Sequence, residues 1–174
     1  TPSVDKQLID KGFKISIETD AGSSSYFEDN AYSAVGVHIV SATQALYEQA
    51  DILLKVNPPS AEEIQWMKKG AILISYLYAA THPAIVEACV TAGISAFAMD
   101  AIPRISRAQK MDALSSQANL AGYKAVLLCA NALGKIFPMM TTAAGTIRPA
   151  KVLIFGAGVA GLQAIATAKR LGAV

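Results

Sequence analysis

The chain has 174 residues, of which 53% are apolar and 16% are charged. This composition excludes a disordered chain, because the apolar surface is large enough to offset the entropy lost on ordering. The net charge is only +2 and the basic side chains are scattered along the sequence, so no nucleic-acid-binding patch is indicated. The length suits one large domain or two small ones.

The two cysteines, Cys89 and Cys129, lie in apolar stretches predicted to be helical. Two such residues cannot form a disulfide framework, so we expect reduced, buried thiols in an intracellular compartment. The longest apolar stretch, residues 152–168, contains three glycines. It predicts a strand, a turn and a helix rather than a membrane-spanning helix.

Short β-branched runs alternate with amphipathic stretches along the chain. The pattern Ser60-Ala-Glu-Glu63 is a capping box, which predicts a helix running to about residue 68. Pro83 suits the first position of another helix, with Thr81 or His82 as its cap, and Gly93 should end that helix. The remaining predicted helices are 4–11, 28–34, 43–49, 114–137 and 159–171, and the predicted strands are 13–18, 37–40, 52–56, 71–76, 95–99 and 152–155.

This alternation of strands and helices is typical of right-handed crossovers in a parallel sheet. Three of the strands are apolar throughout, as strands covered on both faces should be. We therefore predict an α/β fold with two Rossmann-like or flavodoxin-like parallel-sheet domains joined by the long helix. The predicted divisions are an N-terminal domain over residues 1–115, a linking helix and linker over 116–149, and the truncated start of a second Rossmann-like domain over 150–174.

The glycine-rich turn after residue 155 carries the pattern G-x-G-x-x-G between a predicted strand and a predicted helix, the context that dinucleotide-binding motifs require. Gly156 allows the tight turn, Gly158 lets the backbone approach a diphosphate, and Gly161 allows close helix–strand packing. The alternative is a glycine-rich turn that binds nothing. The acidic residue that distinguishes NAD from NADP would lie at or beyond Val174, so this motif does not decide between them. The predicted binding residues of the turn are Gly156, Ala157, Gly158, Val159 and Gly161.

The polar segment 98–119 follows a predicted strand, at the end where open α/β sheets bind ligands. An arginine can donate to the oxygen of a primary amide while an aspartate accepts from its NH₂ group. A nicotinamide carboxamide is such a group. The alternative, which has equal weight on chemistry alone, is a solvated loop with a surface ion pair between Arg104 and Asp112.

Several motifs together resemble one known family. The runs Pro103–Gln109, Met111–Gln117, Ala121–Ala125 and Thr142–Thr146, followed by the Gly156 turn, are similar to the NAD(H)-binding domain of the proton-translocating NAD(P) transhydrogenase alpha subunit, which is related to alanine dehydrogenase. The resemblance covers essentially the whole chain. It implies that an opening strand precedes Thr1 and that most of the second domain follows Val174. We therefore expect a fragment that binds NADH weakly and is inactive alone.

The resemblance also implies residue roles. Arg104, Asp112 and Ser115 would contact the nicotinamide carboxamide or its neighbours, and Gln109 would reach toward NADP(H) carried by a separate domain. Hydride would pass directly between the two nicotinamides, with Re/Si specificity and with coupling to proton translocation across a membrane. No metal is expected. Gln109, Asp112 and Arg104 are thus the expected catalytic residues. These three residues and Ser115 are expected to bind NAD(H).

The expected partners are the NADP(H)-binding domain and the membrane domain of the same enzyme, together with a second copy in a homodimer. No nucleic acid and no direct insertion into a membrane are expected. The resemblance implies a soluble domain on the cytoplasmic side of a bacterial inner membrane or on the mitochondrial matrix side.

Two other functions stay open. An alanine-dehydrogenase-like oxidoreductase would need the histidine that acts on the substrate in that enzyme, but Tyr78 stands at the matching position. A tyrosine with an ordinary pKa near 10 is a poor proton shuttle at neutral pH. A lysine stands at the position of Lys55 in both alanine dehydrogenase and transhydrogenase, so Lys55 does not distinguish them. We expect the aliphatic stem of Lys55 to be packed and its ammonium group to be solvated. The other possibility is a dinucleotide-binding module without catalytic activity.

Overall fold

The computed structural model describes residues 1–174 and separates into two compact units, Thr1–Ala101 (unit 1) and Ile102–Val174 (unit 2). This boundary places residues 102–115 with the second unit, whereas the sequence assigned them to the first domain. The predicted division into 1–115, 116–149 and 150–174 stays a prediction.

Unit 1 has the predicted alternation of helices and strands. Most of its elements are shorter than predicted, because the ends of the apolar runs extend beyond the regular backbone hydrogen bonds. Its helices are α1 (Pro2–Ile9), α2 (Asp29–Ser33), α3 (Thr43–Gln49), α4 (Ala61–Gln65) and α5 (Pro83–Ala92), and its strands are β1 (Ser16–Glu18), β2 (His38–Val40), β3 (Ile52–Leu54), β4 (Ile72–Ser75) and β5 (Ser95–Ala98).

Every strand pair in unit 1 is parallel, which confirms the α/β prediction. The strands form two sheets, one of β1 and β2 and the other in the order β3-β4-β5. On one face of the larger sheet, Leu53 and Leu73 are buried with Ile64 of α4. On its other face Leu54 and Phe97 are exposed. The prediction of cover on both faces is therefore wrong for the run 52–56, whereas Ile72 and Ile74 of β4 are partly buried.

The local helix signals in unit 1 are confirmed. The Ser60 hydroxyl accepts a hydrogen bond from the Glu63 N–H at 3.1 Å, and the Glu63 carboxylate accepts one from the Ser60 N–H at 2.7 Å, which completes the capping box. Gly93 ends α5 in the left-handed conformation, at φ 66°. His82 occupies the cap position of α5, but its side chain makes no capping hydrogen bond.

Unit 2 is built around two helices, α6 (Ala113–Ala132) and α7 (Val159–Arg170). A six-residue 3-10 turn, Ser106–Met111, precedes α6. The predicted linker contains an antiparallel hairpin of β6 (Met140–Thr142) and β7 (Gly145–Ile147). No helix in the structure is both long and apolar enough to cross a membrane.

Helix α6 ends at Ala132 rather than at residue 137, because the chain leaves the helical conformation at Leu133 (φ −78°, ψ 126°). Phe137 is then buried in the core of unit 2 with Val126 and Ala164. The face of α6 that packs there does not include Cys129, which is exposed. The expectation of two buried cysteines is therefore correct only for Cys89.

The predicted strand 152–155 is not formed. Val152 donates its N–H to the Val174 carbonyl at 2.8 Å and Val174 donates to the Ala150 carbonyl at 2.9 Å, and no further backbone bonds continue this ladder. Side chains along the segment still alternate as in a strand, because Val152 and Ile154 pack on the core of unit 2 while Leu153 and Phe155 are exposed.

Candidate functional site

An open cavity of about 340 Å³ in unit 2 joins the polar segment to the glycine-rich turn. Two residues of the predicted nicotinamide loop, Arg104 and Ser115, lie in its wall together with four of the predicted glycine-turn residues. Its complete lining is Arg104, Ser115, Ala118, Phe155, Gly156, Gly158, Val159, Ala160 and Gly161.

Helix packing explains why these two segments meet. Gly122 lies where α6 crosses the first turn of α7, and a Cβ atom at this position would collide with the carbonyl oxygen of Ala160. Ser115 and Ala118 precede Gly122 on the same face of α6, because helical residues three or four apart lie above one another. The face of α6 that contacts the start of α7 therefore also carries Ser115 to the glycine-rich turn.

The structure explains differently why glycine stands at each of the three motif positions. Gly156 has φ +91°, which a residue with a side chain rarely adopts. A Cβ at Gly161 would collide with the carbonyl oxygen of Gly156. Gly158 has an ordinary φ of −75°, and a Cβ built there meets no atom within 4 Å. The fold thus requires glycine at two positions and leaves open space at Gly158, which is the position predicted to approach a diphosphate.

The N-terminus of α7 faces this space without a side-chain cap. Gly158 is the N-cap residue and provides no side-chain acceptor, and the first hydrogen bond of the helix runs from the Leu162 N–H to the Gly158 carbonyl at 2.9 Å. The N–H groups of the first turn therefore remain without a helical partner, and the helix dipole adds a partial positive charge. This arrangement suits a phosphate group.

Asp112 caps the start of α6, where its Oδ1 atom accepts a hydrogen bond from the Ser115 N–H at 2.9 Å. The hydroxyl and backbone N–H of Ser115, together with the positive charge of Arg104, hold the pKa of the Asp112 carboxyl below its ordinary value. Asp112 is therefore ionised at neutral pH.

The surface ion pair that the sequence allowed between Arg104 and Asp112 is not formed, because all four salt bridges of the structure involve other residues. Both groups therefore keep hydrogen-bonding capacity for a ligand. Gln109 is exposed on the 3-10 turn and is not in the cavity wall, and Ala157 is not in the wall either.

Three wall residues were missed by the sequence reasoning. Phe155 is 90% exposed beside Gly156, and the alternation along the segment 152–155 already places it on the outer side. Ala118 is three residues after Ser115 on α6, so helical spacing indicates it. Nothing in the sequence marks Ala160 apart from its place inside the motif.

A larger open depression of about 590 Å³ lies in unit 1. Three carboxylates in its wall, those of Asp20, Glu28 and Asp29, would repel the phosphates of a dinucleotide. The smaller cavity of unit 2 is therefore the better candidate site. The structure contains no cluster of three or more His, Cys, Asp or Glu side chains placed to hold a metal ion.

Lys55 and Tyr78 are the two residues at the positions that an alanine-dehydrogenase-like reaction would use. The Lys55 ammonium group is not simply solvated: it forms a salt bridge with Glu63 at 2.5 Å and donates to the Tyr47 hydroxyl at 3.0 Å. Tyr78 is exposed and strained at φ +48°, and its N–H donates to the Asp100 carboxylate at 3.1 Å. No basic side chain accepts a hydrogen bond from its hydroxyl.

The fold and the glycine-rich turn define an α/β protein of the Rossmann-like type. Residues 1–121 match the family model "Alanine dehydrogenase/PNT, N-terminal domain" and residues 125–174 match "Alanine dehydrogenase/PNT, C-terminal domain". The chain therefore belongs to the alanine dehydrogenase/PNT family.

Within this family, the chain has higher sequence identity to transhydrogenase subunits than to alanine dehydrogenases. The chain is 50% identical to the first segment of NAD(P) transhydrogenase subunit alpha of Rhodospirillum rubrum, over all of this chain and 47% of the relative. A transhydrogenase structure from Sinorhizobium meliloti matches with a TM-score of 0.94 and 46% identity, over all of this chain and 52% of that one. An L-alanine dehydrogenase structure matches with a TM-score of 0.82 and 27% identity, over 99% of this chain and 48% of that one. The chain thus spans about half the length of these relatives.

Proposed function

We propose that this chain belongs to the NAD(H)-binding component of a proton-translocating NAD(P) transhydrogenase. The observation that carries the proposal is the cavity of unit 2, where Arg104 and Ser115 lie with the open position at Gly158. The 50% identity to a transhydrogenase alpha subunit supports the same function.

The residues present fit NAD(H). The free N–H groups at the start of α7 and the open space at Gly158 would hold the diphosphate. Arg104 would donate to the carboxamide oxygen, and the ionised carboxylate of Asp112 would accept from the carboxamide NH₂. Ser115 would contact the carboxamide or its neighbours from the cavity wall. Ala157, Val159 and Gly161 complete the proposed binding residues of the turn.

When bound, NAD(H) supplies one of the two nicotinamide C4 carbons between which the hydride passes. NADP(H) on a separate domain supplies the other C4 carbon. The chain's contribution is then to orient one nicotinamide ring and leave it open to the second carrier. Gln109 lies outside the cavity wall and is exposed, as a residue reaching toward that carrier should be. Arg104, Asp112 and Gln109 would therefore position the reacting rings, with Re/Si specificity, rather than transfer protons.

The same proposal includes the partners. The NADP(H)-binding domain and the membrane domain of the enzyme would complete the reaction and couple it to proton movement, and the component would act as a homodimer. It would lie at the cytoplasmic face of a bacterial inner membrane or on the mitochondrial matrix side.

An alanine-dehydrogenase-like activity is less well supported. The lysine that such an enzyme would use, Lys55, is already paired with Glu63. The His82 ring lies 6.3 Å from the Tyr78 ring between centroids, but its Nδ1 atom is hydrogen-bonded with the Thr81 hydroxyl, and the Tyr78 hydroxyl makes no hydrogen bond to it. Oxidative deamination of alanine by the complete protein would favour this alternative over the transhydrogenase.

The Gly158→Ala variant of the complete protein tests the proposed NAD(H) site. An added methyl group meets no protein atom and the backbone angle is ordinary, so the melting temperature should stay unchanged. The methyl group would occupy the space of the diphosphate, and the NADH dissociation constant measured by calorimetry should rise at least tenfold, roughly 1.4 kcal/mol.

Gly134→Ala is the matched control, because a Cβ there also meets nothing within 4 Å and the position is remote from the turn in sequence. It should bind NADH like the wild type. Unchanged NADH affinity in the Gly158→Ala variant would contradict the proposed site.

A further inference from the structure

Helices α6 and α7 run parallel, so their C-terminal ends lie together. Gly122 of α6 meets Ala160 of α7, and Val126, one turn later on α6, is buried with Ala164, one turn later on α7. Contacts that advance in the same direction along both helices require a parallel arrangement. Both helices end less than two turns beyond the second contact.

Three segments of unit 2 meet at this end. The Phe137 carbonyl, just after α6, accepts a hydrogen bond from the Ala150 N–H at 3.0 Å. Gly172, just after α7, packs on Pro138, because a Cβ built on the glycine would lie 2.7 Å from the Cβ of the proline. The surface made by these segments is called the basic end, and it comprises residues 135–139, 148–151 and 169–172.

The basic end carries five cations and no carboxylate side chain. All five belong to exposed residues, which are Lys135, Arg148, Lys151, Lys169 and Arg170. None of them takes part in the four salt bridges of the structure. The one acidic residue of unit 2, Asp112, caps the opposite end of α6, a 20-residue helix about 30 Å long. The cations of the basic end are therefore not neutralised within their unit.

Helix dipoles account for only a small part of this charge. The C-terminus of a helix carries about −0.5 of an elementary charge, so the ends of α6 and α7 together supply roughly −1 against five cations. The Lys135 ammonium group donates to the Pro149 carbonyl at 3.1 Å, which satisfies a donor but leaves the charge in place. The remaining positive charge, roughly +4, favours an anionic partner.

Exposed apolar side chains lie among the cations. Ile136 and Leu171 each follow one of the cations directly, and Met139, which is 67% exposed, follows the contact at Pro138. Cations interspersed with exposed aliphatic side chains are typical of surfaces that bind the headgroup layer of a membrane. The exposed apolar residues of the basic end include no aromatic side chain, so it provides no platform for stacking nucleic-acid bases.

We propose that the basic end of unit 2 binds the anionic headgroup layer of a lipid membrane. The proposal does not depend on the dinucleotide site, because the basic end and the glycine-rich turn lie at opposite ends of α7, a 12-residue helix about 18 Å long. Binding to headgroups needs no membrane-spanning helix. A continuous anionic surface can contact cations from all three segments, whereas one free phosphate contacts only a few of them.

The test is co-sedimentation of the complete protein with phosphatidylcholine vesicles that contain about 30% phosphatidylglycerol and no membrane protein. We expect binding at low salt that weakens as salt is added, and no binding to vesicles of phosphatidylcholine alone. The double variant Lys169→Gln/Arg170→Gln should lower the partition coefficient at least tenfold, since each basic residue near an anionic surface contributes a factor of roughly five.

The matched control is Arg107→Gln/Lys110→Gln. It removes the same charge from the 3-10 turn before α6, at the end of that helix away from the basic end. All four substituted side chains belong to exposed residues, so both variants should keep the melting temperature of the wild type. The control should bind the vesicles within twofold of the wild type.

Several results would overturn the proposal. The wild type could fail to bind the anionic vesicles, or bind vesicles with and without phosphatidylglycerol equally. Equal losses in the two double variants would show a general effect of net charge. Release by inorganic phosphate, but not by chloride at the same ionic strength, would identify a phosphate site instead of a lipid surface.

A separate NADH titration of the wild type distinguishes this proposal from the proposed function. A protein that binds the anionic vesicles but not NADH would refute the proposed function and support the basic end as a lipid-binding surface. A protein that binds NADH but not the vesicles would refute the lipid-binding surface alone.

Discussion

Glu63 shows how one side chain can join a local signal to the tertiary structure. Its Oε2 atom completes the capping box with the Ser60 N–H, and its Oε1 atom accepts from Lys55 and from Tyr47. Partial burial opposes ionisation, but the hydrogen bonds from Lys55, Ser60 and Tyr47 outweigh it and lower the pKa of Glu63 from its ordinary 4.5. Burial likewise opposes the charge on Lys55, yet its hydrogen bonds to Glu63 and Tyr47 raise the pKa of Lys55 from 10.5.

These directions predict the pH dependence of stability. Because the folded pKa of Glu63 is lowered, its contribution is present above pH 4.5 and is lost as the pH falls through the folded pKa. Because the folded pKa of Lys55 is raised, its contribution is present below pH 10.5 and is lost as the pH rises through the folded pKa. Glu63→Gln should therefore lower the free energy of unfolding at pH 7 by roughly 1–3 kcal/mol, and the deficit should shrink on acidification.

Urea denaturation at several pH values measures this difference. Glu62→Gln is the matched control, since Glu62 lies in the same first turn of α4 but is exposed and makes no side-chain hydrogen bond. A deficit in Glu63→Gln that stays constant from pH 7 to pH 3 would contradict the role given to the ionised carboxylate.

Gln109 permits a prediction about turnover. Gln109→Asn keeps the amide but shortens the side chain by one methylene, so the amide can no longer reach the same point beyond the 3-10 turn. We expect hydride transfer by the complete protein with its partner domain to slow by about tenfold or more, because small displacements of positioning groups are costly. The NADH dissociation constant should change little, since Gln109 is outside the cavity wall.

Stopped-flow measurement of the single-turnover rate, with an NADH titration alongside, separates these two effects. Gln117→Asn on α6 provides the same chemical change at another exposed position. If the rate and the affinity fell together in Gln109→Asn, Gln109 would belong to the NAD(H) site rather than to the approach of the second carrier.

At the scale of elements, the contact of α6 with α7 decides the shape of the candidate site. Val126 on α6 is buried with Ala164 and Ala168 on α7. Gly122 allows the two helices to approach at the first turn of α7, because no side chain separates them. The cavity wall depends on this approach, since Ser115 lies on the same face of α6.

Gly122→Ala should destabilise unit 2 by about 1–3 kcal/mol through overpacking. The intrinsic preference of alanine for helices, worth about 1 kcal/mol, opposes this loss but does not remove the collision with the Ala160 carbonyl. Thermal unfolding measures the change, with Gly134→Ala as a substitution into open space. A melting temperature at or above that of the wild type would show that the helices separate at little cost.

Elements with local causes were predictable from the sequence. The capping box at Ser60, the start of α5 at Pro83 and its end at Gly93 depend only on neighbouring residues. The end of α6 was not predictable, because Phe137 leaves the helix to fill a core made by α6 and α7. The side chains of segment 152–155 alternate as in a strand. A strand also requires a neighbouring strand to hydrogen-bond with, and the alternation of side chains gives no information about that neighbour.

The candidate site was predictable in its components but not in its geometry. The motif indicated Gly156, Gly158 and Gly161, and the polar segment indicated Arg104 and Asp112. Asp112 uses one oxygen to cap α6 and forms no salt bridge with Arg104. Both facts depend on side-chain conformation, which the sequence does not give. These details leave hydrogen-bonding groups free, which the composition of the segment does not reveal.

At the scale of the whole molecule, the net charge of +2 conceals two units of opposite sign. The fifteen basic residues are scattered along the sequence, but nine of them lie beyond the boundary at residue 101, in unit 2. The resemblance to the alanine dehydrogenase/PNT family is confirmed by matches over residues 1–121 and 125–174. Family and fold were thus accessible from the sequence, whereas the charge division became visible only with the unit boundary.

The most direct measurement is a crystal structure of the complete protein bound to NADH. We predict the diphosphate at the start of α7 beside Gly158, with the carboxamide of the nicotinamide bonded to Arg104 and to the carboxylate of Asp112. A dinucleotide bound elsewhere, or one bound at the turn with its nicotinamide directed away from Arg104 and Asp112, would contradict the proposal.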